Sequence, residues 1–236
     1  MIETTFARRA FADGQTLAQD FADWTAALLA EAIAARGLAL LVVSGGSTPK
    51  RYFAELSRRG LDWARVAVTL ADERRVADDS PRSNARLVRE TLLQGAAARA
   101  QFCPLADSRL TPERELAAAA TRAAHLNWPA DLVVLGMGDD GHTASWFPYA
   151  AGLAEAIDPA ARALVAAMPA PDGLEPRLTL TGRALLRARA LALQIEGPKK
   201  AEVLRRACED GPVEAMPIRA ALRGAGDRLT VFQSAA

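Results

Sequence analysis

Three short apolar runs, Leu38–Val43, Val66–Leu70 and Asp131–Leu135, each give way to a polar or glycine-rich stretch. Nearly continuous hydrophobicity over five or six residues leaves a strand without a polar face. Such strands need cover on both sides, as in a parallel sheet. The cover is present in the sequence. Leu17, Phe21, Trp24, Leu28 and Ile33 recur at helical spacing, and Gly37 stands where a C-cap belongs. Further helices are expected from Tyr52 through Leu56, over Ser83–Leu93, over Pro112–Leu126 with Thr111 as a candidate N-cap, and over Pro198–Cys208. Weaker strands are expected at Ala163–Ala167, Leu178–Thr181, Ala190–Ile195 and Leu229–Phe232, and surface loops at Asp72–Ser80, Ala150–Asp158 and Pro169–Pro176. Strands alternating with helices predict a doubly wound α/β sheet in one domain spanning residues 1–236.

Charge and cysteine usage narrow the function classes. The formal net charge is +1, so no global field favours nucleic acid or an anionic membrane. Cys103 and Cys208 are far apart and lack metal-ligand spacing, which reads as two reduced thiols. The segment Met1–Asp13 carries Glu3, Arg8, Arg9 and Asp13 and has no apolar core of a signal peptide. No run reaches the roughly 18–20 apolar residues of a membrane span. The expectation is a cytoplasmic protein, a monomer or weak homo-oligomer, with no nucleic-acid or membrane partner.

In open α/β sheets ligands bind beyond the carboxyl ends of the strands. Three polar loops follow such ends here. Ser44-Gly45-Gly46-Ser47-Thr48 joins a strand to a helix that starts at Pro49. Its glycines allow close backbone approach, and its N–H and hydroxyl groups suit a phosphate, although a plain tight turn would look the same. No GK[ST] follows, so a nucleoside triphosphate is disfavoured. Asp72-Glu73-Arg74-Arg75 offers an arginine able to hold an anion through two hydrogen bonds, and a carboxylate able to bind sugar hydroxyls or orient a proton-transfer group. Read alone, this segment is a solvated charged loop. The third loop is Gly136-Met-Gly-Asp-Asp-Gly-His142-Thr-Ala-Ser145.

The chain has two histidines. His125 lies on the Pro112–Leu126 helix and reads as structural or surface. His142, in a glycine turn at a strand end, is the natural general base. Asp139 or Asp140 can orient its ring, though either can equally cap the turn or a helix start, and Asp140 is also a substrate-binding candidate. A lone histidine does not complete a zinc site, so no metal is expected. Gly136, Gly138 and Gly141 formally spell GxGxxG, but two aspartates at the turn would repel a pyrophosphate. Arg177 and Lys199 each open a later element and are candidates to clamp a phosphate. Ser145 is only a weak candidate for a nucleophile.

Taken together, SGGSTP at 44–49, ADER at 71–74, SPRSN at 80–84, GMGDDGHTASWFP at 136–148, RLTLT at 177–181 and GPKKAEVL at 197–204 resemble the 6-phosphogluconolactonases, in the same order and over most of the chain. The resemblance implies an open, mostly parallel Rossmann-like sheet with helices on both faces. It also implies hydrolysis of a sugar phosphate lactone, 6-phospho-D-glucono-1,5-lactone, with no cofactor. Within it His142 is the base, Asp72 and Arg74 line the ring end of the substrate, and Ser44, Gly45, Gly46, Ser47, Thr48, Arg177 and Lys199 hold the phosphate. The related glucosamine-6-phosphate deaminases carry a tyrosine where this chain has Arg74, and an acidic residue beyond their Asp-Gly-His that is missing from Thr143–Pro148. An amino-sugar phosphate isomerase or deaminase, and a non-enzymatic sugar-phosphate sensor, are the rival readings.

Overall fold

The structure, a computed structural model, describes residues 6–171 and 173–235. In chain order its elements are β1 (Ala7–Phe11), α1 (Gly14–Arg36), β2 (Ala39–Val43), α2 (Lys50–Leu56), β3 (Val66–Leu70), β4 (Asp72–Arg74), α3 (Asn84–Thr91), β5 (Gln101–Cys103), α4 (Pro112–Ala124), β6 (Leu132–Leu135), α5 (Leu153–Ile157), β7 (Val165–Met168), β8 (Arg177–Leu180), α6 (Gly182–Leu185), β9 (Ala190–Glu196), α7 (Pro198–Ala207), α8 (Ile218–Gly224) and β10 (Leu229–Ser234). Seven strands form one sheet in the order β1-β10-β9-β6-β2-β3-β5. Every pairing in it is parallel. Each residue of β2 and β6 is buried, as strands covered on both faces must be. The expected α/β class, with its mostly parallel sheet, is what the chain forms.

Helix α1 shows why the local signals were readable. The Asp13 side chain accepts hydrogen bonds from the Gln15 and Thr16 N–H groups at its start. Gly37 closes it at φ +80°, and its N–H donates to the Ile33 carbonyl. Leu17, Phe21 and Leu29 are fully buried.

Four departures from expectation have physical causes. The Asp72–Ser80 segment is not a loop throughout, because Asp72–Arg74 pairs antiparallel with β8. With β7 these strands make a separate three-stranded sheet, so Val165–Met168 and Arg177–Leu180 do not extend the parallel one. The two sheets are joined at Ala71, whose N–H donates to the Val43 carbonyl while its own carbonyl accepts from Leu180 N–H. Ala150–Asp158 contains α5, whose Leu153 and Ala156 are buried. Edge strands β1 and β5 were unreadable, since β1 is ARRAF with four exposed residues and β5 has only three residues.

Strand order defines the functional end of the sheet. The chain moves outward from β2 to β3 and β5, then returns to β6 on the other side of β2. A crevice opens beyond the carboxyl ends where the winding reverses.

Candidate active site

A cavity of about 260 Å³ fills that crevice. Four adjacent strands supply its wall. β2 leads into the Ser44–Pro49 loop, β3 is followed by Asp72 and Arg74, β6 leads into Gly136–Ala144, and β9 brings Gln194 and Ile195. The three loops singled out in the sequence therefore meet at one place.

His142 lies in this wall, at one end of a tightly hydrogen-bonded turn. Gly138 N–H donates to the His142 carbonyl at 2.8 Å, Gly141 N–H to the Gly138 carbonyl at 3.1 Å, and the Thr143 hydroxyl to the Gly136 carbonyl at 2.8 Å. A Cβ on Gly138 would overlap the His142 imidazole, so glycine there is a packing requirement. Ala144 takes φ +48°, a left-handed conformation that costs energy for a residue with a side chain.

The ring is held from two further sides. His142 Nδ1 lies 2.6 Å from Asp140 Oδ1, which also accepts the His142 backbone N–H at 3.1 Å. Phe147 packs against the ring at 5.0 Å between centroids, tilted by 52°. A carboxylate only accepts, so it assigns the imidazole proton to Nδ1 and leaves Nε2 as an acceptor. Burial opposes ionisation of Asp140, but the hydrogen bond and charge of His142 outweigh it and hold the carboxyl below its usual range. Asp140 thus stands behind the imidazole and is absent from the cavity wall. Of the two aspartates left open by sequence, Asp140 orients the ring.

Asp139 turns the other way, to Lys199 and Lys200. Hydrogen bonds from both ammonium groups lower its carboxyl to about 2. Because the folded value is depressed below 3.8, this group contributes stability above the ordinary value, and the contribution is lost as pH falls through about 2. Asp139 and Lys199 are both more than half exposed, so screening keeps the effect small. The expected result is a small loss of urea midpoint for Asp139→Asn near neutral pH, shrinking to nothing as pH falls from about 4 toward about 2. An equal loss at all pH values would contradict the assignment.

Asp72 and Arg74 both line the cavity. Asp72 is buried and accepts from the Ser145 hydroxyl, which leaves Ser145 fully enclosed and bonded to a carboxylate away from His142. Glu73 points away from the cavity. Burial pushes its carboxyl up, while N–H groups of Arg74, Asn84 and Ala85 and the Ser83 hydroxyl donate to it. Glu73 thereby fixes the start of α3 and the position of Asn84. The Asn84 amide donates to the Asp72 carbonyl at 2.9 Å and occupies the space a Cβ on Gly45 would need.

Two expected phosphate ligands are placed differently. Lys199 is three-quarters exposed and outside the wall, while Lys200, one residue on, lines the cavity. Successive helical residues diverge by about 100°, which is why one of the pair faces in. Lys200 donates to the Met137 carbonyl at 2.7 Å and to Asp139 at 2.7 Å. An ammonium has three N–H donors, so one is left for a ligand. Arg177 is buried opposite Arg74 in the β4–β8 register, 3.4 Å from Glu175, and does not form part of the wall. Burial first, and then the nearby Arg74 charge, lower its pKa. His125 is exposed, bonded to the Thr121 carbonyl.

Sequence reasoning missed Asn84, Gln194 and Lys200 as wall residues. Asn84 closes the SPRSN segment at 80–84, but no chemical role was read for it. Gln194 carried a local signal, as one polar residue inside the apolar run of β9.

Comparison with known proteins agrees with this fold. A 6-phosphogluconolactonase of Rhizobium meliloti (strain 1021) is 51% identical over 222 residues, covering 94% of this chain and 96% of its own. That of Mesorhizobium japonicum is 47% identical over 223 residues, covering 94% and 93%. The crystal structure of a 6-phosphogluconolactonase from Shewanella baltica OS155 superposes with a TM-score of 0.94 at 44% identity and covers all of both chains. Residues 12–231 match the family described as glucosamine-6-phosphate isomerases/6-phosphogluconolactonase. With a family match over nearly the whole chain and relatives this similar, the chain belongs to the glucosamine-6-phosphate isomerase/6-phosphogluconolactonase family.

Proposed function

We propose that this chain is a lactone hydrolase that opens 6-phospho-D-glucono-1,5-lactone to 6-phosphogluconate, the second step of the oxidative pentose phosphate pathway. One observation carries the reading. An imidazole backed by a carboxylate shares a cavity with a glycine-rich loop, an arginine and a lysine. The relatives of known name agree with it.

The chemistry follows from the groups present. The Ser44–Thr48 loop, with its backbone N–H groups and hydroxyls, and Lys200 hold the phosphate. His142 Nε2 takes a proton from water as the water oxygen bonds to C1 of the lactone. Arg74 stabilises the negative charge that develops on the former carbonyl oxygen. When the tetrahedral adduct collapses, the C1–ring oxygen bond breaks and His142 returns its proton to that oxygen. Asp140 keeps the imidazole in the required tautomer and favours its transient cation. The substrate is an already activated ester, so a base and correct positioning suffice. In this reading the protein works in the cytoplasm on a small sugar phosphate, as a monomer or weak homo-oligomer. Among the described residues no helix is long and apolar enough to cross a membrane.

The test is the disappearance of freshly prepared lactone at slightly acidic pH, where spontaneous opening is slow. The chain should accelerate it at catalytic concentration and release no ammonia from glucosamine 6-phosphate. Ammonia release without lactone hydrolysis would transfer the assignment to the deaminases.

The placement of the two lysines gives a further expectation. Lys200→Ala should raise KM for the lactone by about tenfold or more, the value of a charge-assisted hydrogen bond. Lys199→Ala should stay within about twofold of the natural chain. The reverse ranking in steady-state kinetics would show that the phosphate lies on the other lysine.

A further inference from the structure

Among the described residues one buried side-chain atom lacks a hydrogen-bond partner, the Oε1 of Gln194. Gln194 is 3% exposed, lies between the buried Leu193 and Ile195 on β9, and forms part of the cavity wall. Its Nε2 donates to Glu196 Oε1 at 3.0 Å and, at 3.4 Å, to the Thr48 carbonyl. Both partners can only accept. Exchanging the amide's nitrogen and oxygen would set an acceptor against two acceptors, so the orientation is fixed and Oε1 is the arm left over.

A buried acceptor without a donor is unfavourable, and on a side chain that lines a ligand cavity it calls for a donor brought by the ligand. A phosphate dianion has none to give, which separates Gln194 from the phosphate-holding groups beside it. A hydroxyl does. The terminal torsion of glutamine is broad, so a small turn of the amide brings Oε1 to an arriving O–H without a change of rotamer. Gln194 touches the phosphate loop at Thr48, so the hydroxyl within reach is one close to the phosphate-bearing carbon.

We infer that Gln194 is a specificity-determining residue that accepts a hydrogen bond from the sugar-ring hydroxyl nearest the phosphate-bearing carbon. This rests on the proposed lactonase reading, where that group is the hydroxyl on C4. A site built around such an acceptor discriminates against a ligand that lacks the hydroxyl, because the acceptor then stays unpaired.

The experiment compares kcat/KM for 6-phosphogluconolactone and its 4-deoxy analogue, in the natural chain and in Gln194→Met, with inhibition by inorganic phosphate as a report on the loop. The natural chain should favour the hydroxylated lactone by about 10- to 100-fold. Gln194→Met should lose most of that preference by slowing only the hydroxylated substrate, with phosphate inhibition within about twofold. Equal use of the two lactones by the natural chain overturns the inference, and that measurement does not depend on the variant folding. A parallel loss on both lactones with weakened phosphate inhibition also overturns it, since Gln194 would then only brace the loop. Absence of any lactonase activity in the natural chain removes the functional reading and this inference with it, and is recognised before any variant is made.

Discussion

His142→Ala is expected to lower kcat for 6-phosphogluconolactone by about 10²–10⁴-fold, the usual contribution of a positioned general base. KM should change little, because in the proposed reading other groups hold the phosphate. Stability should change little too. The side chain is one-third exposed, and the Asp140 carboxylate left behind is about half exposed and can be hydrated. A large loss of turnover in a variant that melts like the natural chain would mark the imidazole as chemical rather than structural. Nearly full activity in His142→Ala would remove the base from the mechanism and leave the cavity as a binding site only.

Trp146→Ala is expected to have the largest effect on stability, about 3–5 kcal/mol for deleting a fully buried aromatic side chain. For a chain of this size that lowers Tm on the order of 10 °C. The indole fills space between the His142 turn and the small antiparallel sheet, and its Nε1–H donates to the Leu180 carbonyl at 3.1 Å. The deletion therefore opens a void and removes one of the donors to the Leu180 carbonyl, which keeps the Thr179 hydroxyl at 3.1 Å. Trp146→Phe retains much of the volume and should cost roughly half as much or less. Urea denaturation of both variants separates the contributions. A Trp146→Ala protein as stable as the natural chain would mean that the cavity collapses freely, contrary to the full burial of the indole.

The parallel sheet was legible because its central strands are buried on both faces. A run such as Leu38–Val43 is too short for a helix of its own and too apolar for a strand with one wet face. The meeting of the three loops was legible for the same reason, since strands of one direction place their carboxyl ends together. What escaped was whatever depended on partners remote in sequence. The strand Asp72–Arg74 reads as a charged loop until Arg177–Leu180 is laid beside it. The neighbouring lysines 199 and 200 have the same chemistry, and only the phase of α7 separates them. Asn84 enters the site through Gly45, a contact between distant segments that no local pattern records. His142 was identifiable from its glycine turn, whereas its choice of Asp140 over Asp139 needed coordinates, because both aspartates lie within reach along the chain.

The pairing of β1 with β10 has a consequence for biosynthesis. Ala7 lies opposite Thr230, and Phe11 opposite Ser234. β1 therefore has no docking place until β10, more than two hundred residues further along the chain, has been made. The β1 segment must wait unpaired while the intervening chain gathers, so the locking of that border is a long-range event.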